Sequence, residues 1–221
     1  MEIKIEDLIS VLKIIIIDIL LSGDNAIVIA MATLNLDPEN RRKGIILGTS
    51  GAIVLRVLMA SIATYLLAIP FFQLFGGFLL IWVTIKLLNE SSGKKTKEPE
   101  LDLPTRLLNA IKLIIIADFS MSTDNILAIG GASHGNVKLL IFGLLFSIPI
   151  LMFFSQKIAS YMDNYPVLVS LGAIVLGMVA GEVIFSDKFV TQHIQEPYNI
   201  ILTILIVCFV FATSKIKIFF I

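Results

Sequence analysis

The segment D-I-L-L-S-G-D-N-A-I-V-I-A, beginning at Asp18, returns one hundred residues later as D-F-S-M-S-T-D-N-I-L-A-I-G, beginning at Asp118, and both copies lie inside very apolar stretches. Four aspartates are thus placed where a membrane is expected. A carboxylate at the centre of a membrane helix costs about 2.5 to 3.5 kcal/mol on insertion scales, so four cost on the order of 10 to 14 kcal/mol if charged and unpaired. A fold that keeps them must offset that cost, and a bound cation is the simplest way to do so.

The surrounding composition supports the membrane reading. With 57% hydrophobic and 15% charged residues and a mean hydropathy of +0.95, the chain carries more apolar surface than a soluble core of this size can hide. It reads as an all-α polytopic membrane protein. The formal charge of zero conceals a segregation, because most charges sit between the apolar segments. No basic patch with interleaved aromatics appears, which excludes nucleic acid as a partner. Cys208 is the single cysteine, so no disulfide forms within the chain and thiolate metal sites are excluded; its neighbours Val207 and Phe209 make it lipid-facing or packed. The start, M-E-I-K-I-E-D-L, lacks the basic region and cleavage site of a signal peptide, so the first apolar segment is expected to remain. No Walker loop, nucleophile elbow, kinase signature or H-E-x-x-H occurs. Neither an enzyme nor an organic cofactor is expected, and transport would be passive or coupled to an ion gradient.

Apolar runs long enough to cross about 30 Å of hydrocarbon fall near 8–32, 45–68, 71–88, 107–132, 139–161, 167–185 and 199–214, which predicts seven helices. Ile69 and Pro70 separate the second from the third, and the neighbourhood of Pro166 separates the fifth from the sixth. The repeat extends beyond the aspartate motif: I-A-T-Y at 62 matches I-A-S-Y at 158, Pro70 matches Pro166, and Gly76 matches Gly172. Two halves of three helices, followed by one extra helix, must enter the membrane in opposite orientations because three is odd. The expected organisation is a first repeat over 1–89, a polar cytoplasmic linker over 90–105, an inverted second repeat over 106–186, and a seventh helix with the C-terminus over 187–221. Placing the N-terminus outside puts Arg41, Arg42, Lys43, Lys94, Lys95, Lys97, Arg106, Lys215 and Lys217 inside against Lys4, Lys138 and Lys188 outside, which favours a cytoplasmic C-terminus.

A pseudo-twofold axis in the membrane plane brings the two motifs face to face at the midplane, where inverted-repeat transporters bind substrate. Positions seven apart share a helical face, so Asp18 lies over Asn25 while Asp24 is turned by about 120°. Ser22 and Gly23 offer a local unwinding to correct this; Ser122 and Thr123 in the second copy make a break there less expected. The donor set is all oxygen: four carboxylates, two asparagine amides and the hydroxyls of Ser22 and Ser122. Such a set suits a hard divalent cation (manganese, magnesium or calcium) and argues against zinc or copper. Four close aspartates cannot all be ionised without a cation, so metal and protons compete for one site, the minimum machinery of antiport. Polar residues in membrane helices also serve merely to hold neighbouring helices, but the symmetric doubling of D-x5-D-N favours a binding site.

The motifs D-I-L-L-S-G-D-N-A and D-F-S-M-S-T-D-N-I, with the three-plus-three-plus-one hydropathy, resemble the TerC family of integral membrane proteins over nearly the whole chain. That resemblance implies manganese export by a short bacterial member in the plasma membrane, with an inverted-repeat architecture similar to the LysE exporter superfamily. It implies Asp18, Asp24, Asn25, Asp118, Asp124 and Asn125 as metal ligands, Asp18 and Asp118 standing where many members carry Glu. The link to manganese moves the expected substrate from a hard divalent cation to Mn2+, with protons as the second partner and a homo-oligomer compatible with both.

Arg56 lies mid-span in the second helix without a charged counterpart in the fifth; it either pairs with an aspartate of the empty site and swings away when metal binds, or forms a permanent salt bridge, the second being the more ordinary use. Glu182 is either an outer-mouth acid that attracts cations or an ordinary interfacial one. His134, just after the second motif, is a lone loop histidine of the kind usually solvated. Lys13 and Lys112 are expected to snorkel and Trp82 and Tyr161 to anchor the interfaces. Two other functions compete with metal export: efflux of an amino acid or other small organic solute, and a membrane stress-response scaffold with a structural acidic core.

Overall fold

The computed structural model describes residues 5–66, 69–91, 102–132, 137–194 and 198–213; at 5–8, 20–21, 63–64, 123–132 and 137 the description extends to the backbone alone. All regular structure among the described residues is helical: α1 (Ile5–Leu21), α2 (Gly23–Thr33), α3 (Pro38–Ser61), α4 (Ala63–Leu66), α5 (Phe72–Ser91), α6 (Leu103–Ala132), α7 (Val137–Asn164), α8 (Pro166–Phe185), α9 (Lys188–His193) and α10 (Tyr198–Thr213). Of these, α3, α5, α7 and α8 are long and apolar enough to cross a membrane, and α1 with α2 makes a fifth span if the bent pair is counted as one.

The boundaries follow local chemistry. At the start of α3 the Asp37 side chain accepts the Asn40 backbone N–H and Pro38 occupies the first turn, where its missing N–H costs nothing. Asn40 also donates its side-chain amide to Asp37, and these bonds hold the Asp37 carboxyl below its ordinary value. Pro166 likewise occupies the first turn of α8, there without a side-chain cap from Tyr165. The second apolar run does not continue to residue 68 as one helix; α3 stops at Ser61 and the short α4 follows. The turn after it places Phe71 at a φ of 63°, a left-handed conformation that disfavours a bulky side chain, and its ring packs against Phe189 with centroids 4.8 Å apart. The six-residue α9, capped by Asp187, was not expected from the sequence.

The first apolar segment breaks where Ser22 leaves helical geometry (φ −108°, ψ 9°), and α2 bends away from α1 by 54°. Its counterpart α6 runs unbroken for 30 residues through Ser122 and Thr123. α7 carries Pro149 in its interior, which frees the carbonyl one turn earlier from helical pairing.

Packing comes in matched pairs: α3 lies on α6, α7 lies on α1 and α2, α5 lies on α8, and α10 closes against α8. Close approach between α5 and α8 depends on Gly77, where an added Cβ would stand 2.3 Å from Ile184 and 2.9 Å from the Ala180 carbonyl. Small residues at helix contacts are the usual membrane solution, because burial alone gives no preference for protein over lipid. The main core joins residues of α2, α5, α6 and α8, among them Leu80, Leu88, Ile114 and Leu176, while Leu12, Val54, Phe78, Phe146 and Leu205 face outward.

Polar ties mark two ends. At one, Arg41 pairs bidentately with Asp163 at 2.7 and 3.1 Å and donates to the carbonyls of Thr33 and Leu34, Arg106 donates to the Asn35 carbonyl, and Asn35 donates to the Glu90 carbonyl at 2.7 Å. At the other, buried Asp187 accepts the backbone N–H groups of Leu74 and Phe189. α5 runs between these ends, so α2, α3, α5, α6, α7 and α8 alternate in direction. The Gly177–Val207 and Gly181–Thr203 contacts make α10 antiparallel to α8. Tyr161 is exposed near the end of α7, as an anchor should be, but Trp82 stands midway along α5 with the Lys86 ammonium 5.4 Å from its ring, deeper than an interface anchor.

Candidate functional site

Each motif copy contributes an aspartate and a serine one helical turn apart, and both pairs converge on one arginine. Asp18 and Ser22 come from the break between α1 and α2, Asp118 and Ser122 from the middle of α6, and Arg56 from α3. The guanidinium donates one amino group to Asp18 and the other to Asp118. Its Nε donates to Ser122 Oγ at 3.2 Å and Nη1 reaches Ser22 Oγ at 3.5 Å. Ser122 in turn donates to Asp118 at 3.2 Å, and Ser22 to Asp18 at 3.4 Å. The same Ser-to-Asp bond is thus made on both sides of one guanidinium. The three charged side chains are 7%, 3% and 6% exposed for Arg56, Asp18 and Asp118, so they are screened by little water and depend on one another. Their formal sum is one negative charge.

Beside this cluster lies a cavity of about 20 Å3, whose polar lining is Asp18, Asn25, Thr49, Arg56, Asp118 and Ser147. That volume suits a single water-sized object. Two of its oxygens, Asn25 Oδ1 and Thr49 Oγ1, are buried without a hydrogen-bond partner, which is costly for groups removed from water. Ser147, two residues before Pro149, lies within hydrogen-bond reach of both Asp18 and the Leu144 carbonyl; its single proton serves one of them at a time.

The sequence-predicted residues divide as follows. Asp18, Asn25 and Asp118 meet at the cavity, with Ser22, Ser122 and Arg56 against the same carboxylates. Asp24 is turned aside although the break at Ser22 and Gly23 was expected to bring it in: it is half-buried, accepts its neighbour Asn25's N–H at 2.9 Å, and does not line the cavity. The side chains of Asp124 and Asn125 lie outside the described residues, as do His134 and most of the 90–105 linker. Glu182 is exposed on α8, away from the cluster. Among the described residues no three Asp, Glu, His or Cys side chains form a group able to hold a metal; two carboxylates, one amide and hydroxyls form the oxygen set. Thr49 and Ser147 were missed because each is a lone hydroxyl in an apolar helix, where back-bonding to the preceding turn is the ordinary role.

A second cavity of about 270 Å3 adjoins the first through Asp18, Ser147 and Leu151 and is otherwise lined mainly by apolar side chains such as Ile19, Ala26, Ile150 and Phe154. Among the described residues no basic side chain lines it.

The sequence profile described as the integral membrane protein TerC family matches residues 3–219. The chain belongs to the TerC family. It is 41% identical over 211 residues to the uncharacterized membrane protein YjbE of Bacillus subtilis (strain 168), spanning 94% of each chain. YceF, an uncharacterized membrane protein of the same organism, is 24% identical over 203 residues, covering 89% of this chain and 77% of the relative. The inner membrane protein YgdQ of Escherichia coli (strain K12) is 28% identical over 170 residues, or 68% and 69% of the two chains. No solved structure matches. None of these TerC family relatives is named as an enzyme, and the match includes both motif copies and every helix described above.

Proposed function

We propose that this TerC family member exports a hard divalent cation, manganese before calcium or magnesium, through the site between Asp18 and Asp118, in exchange for protons. The observation that carries the reading is the meeting of equivalent aspartates from the two motif copies at a cavity that also holds the unpartnered oxygens of Asn25 and Thr49. These are hard oxygen donors, the set that suits such ions. Coordination needs ionised carboxylates, so protons compete with the metal, and a proton gradient is a natural driving force.

The architecture that goes with this function is the seven-span inverted repeat, with 1–89 and 106–186 as its halves, 90–105 as the linker and 187–221 holding the last span. The matched packing of α3 on α6 and of α7 on α1 and α2 supports it, as does the alternation of helix direction. The end tied by Arg41 and Arg106 is then cytoplasmic, by its positive charge, and the membrane is the bacterial plasma membrane.

Efflux of an amino acid is less well supported. The cavity of about 20 Å3 is far below the roughly 300 to 1,000 Å3 of organic-ligand pockets, and the larger one offers a carboxylate without a free cationic partner. The scaffold reading leaves the two unpartnered oxygens without a role. Calorimetric titration of the purified protein with manganese, calcium, magnesium and zinc tests the proposal: manganese binds and zinc does not compete at equal concentration. Absence of heat with every divalent ion removes the reading.

A further inference from the structure

Arg56 breaks the symmetry of the site. The repeat offset that matches Pro70 with Pro166 matches Arg56 with Met152, so one half supplies a cation where the other supplies a thioether. The geometry explains why one suffices: the guanidinium stands between the two motif copies and spends its two amino groups on one aspartate from each. A second arginine from α7 would compete for the same two carboxylates. Yet the same guanidinium leaves Asn25 Oδ1 and Thr49 Oγ1 unpartnered at the cavity edge. The oxygens that face the cavity therefore outnumber those that Arg56 satisfies.

We infer that Arg56 is a tethered competitor for the cargo's position, and that it restricts the site to divalent cations; this rests on the cation-site reading above. A cation that uses both Asp18 and Asp118 has to draw them from the guanidinium. A sodium or potassium ion brings the same single charge as Arg56 and forfeits the forked hydrogen bonds, so the exchange gains nothing. A divalent ion neutralises both carboxylates and recruits the idle oxygens of Asn25 and Thr49. Arg56 is thus a specificity-determining residue that acts through the two aspartates.

The test is manganese titration of the purified full-length chain, as wild type, Arg56→Gln and Arg56→Lys, in choline chloride and in sodium chloride of equal ionic strength. Loss of the competitor is expected to tighten manganese binding by roughly tenfold in choline, and sodium is expected to weaken binding in Arg56→Gln while leaving wild type unchanged. Arg56→Lys, which keeps the charge but loses the fork, should fall between them. A purely structural salt bridge predicts the opposite, weaker binding on its loss. The inference is overturned if folded Arg56→Gln binds no tighter than wild type, or if sodium competes equally in both. If Arg56→Gln does not reach the membrane folded, Arg56→Lys decides alone: tighter than wild type supports the inference, equal or weaker overturns it. Manganese binding by neither wild type nor either variant removes the cation-site reading itself, a different outcome from wild-type binding that the variants fail to exceed.

Discussion

Asp18 and Asp118 hold opposite sides of one buried guanidinium, so neither can be changed without consequence for the other. Replacing one partner of a buried ion pair leaves the remaining charge uncompensated and typically costs about 3 to 5 kcal/mol. Arg56→Gln strips the cation from both carboxylates, whereas Asp18→Asn leaves Arg56 and Asp118 paired one to one, so Arg56→Gln is expected to lower the thermal midpoint in detergent further than Asp18→Asn; an Arg56→Gln midpoint no lower than that of Asp18→Asn would count against the pairing. Ser147 lines the cavity and can turn its proton to the Leu144 carbonyl, leaving its oxygen free to accept a cation, so Ser147→Ala, which removes that donor oxygen, is expected to weaken manganese binding by roughly fivefold, about 1 kcal/mol. How much of this was legible in the sequence depends on the residue. The doubled motif pointed to Asp18, Asn25 and Asp118, and equally to Asp24, which the break at Ser22 was expected to turn inward and which does not line the cavity. Arg56 was visible as an odd charge, but sequence spacing does not say which carboxylates a residue 38 or 62 positions away will meet. Thr49 and Ser147 carried no pattern at all.

The two motif copies fold differently although their sequences align, because Ser22-Gly23 permits a break that Ser122-Thr123 does not take. Glycines on these elements are not equivalent. An added Cβ at Gly23 meets nothing within 4 Å, whereas at Gly77 it strikes Ile184 and the Ala180 carbonyl. Gly77→Ala should thus destabilise by about 1 to 3 kcal/mol through overpacking, and Gly23→Ala should not; unfolding followed by Trp82 fluorescence distinguishes them, and equal effects would contradict the packing. The start of α3 has a pH dependence of known sign. The folded Asp37 carboxyl is held low by its bonds to Asn40, so its cap contributes stability above the ordinary aspartate pKa and loses it as pH falls through the lowered value. Asp37→Ala should abolish that acid-side dependence. The start of α8 at Pro166 was legible because proline acts locally, whereas α3 begins at Pro38, ahead of the apolar run expected from 45; α9 was not legible, since six residues give too short a period and its Asp187 cap is buried by contact with α5.

At the scale of the whole molecule, alternation of helix direction places the Arg41–Asp163 and Arg106–Asn35 ties at one end and Asp187 at the other. With Cys208→Ser as background, Arg42→Cys and Lys95→Cys should resist an impermeant thiol reagent added outside, while Glu2→Cys and Asn136→Cys should react; labelling of Lys95→Cys from outside would contradict the inverted arrangement. The hydropathy of the chain made the helical membrane class plain, because it is written in every turn of helix, and the doubled motif is what suggested the reading in two halves. The convergence of the two motifs on a single site is a property of packing, and it carries the whole functional account. Manganese efflux from loaded proteoliposomes, at matched protein content, tests it most directly. Wild type should release the ion, and Asp18→Asn and Asp118→Asn should each fall to the protein-free background; release at the wild-type rate by both variants would contradict the account.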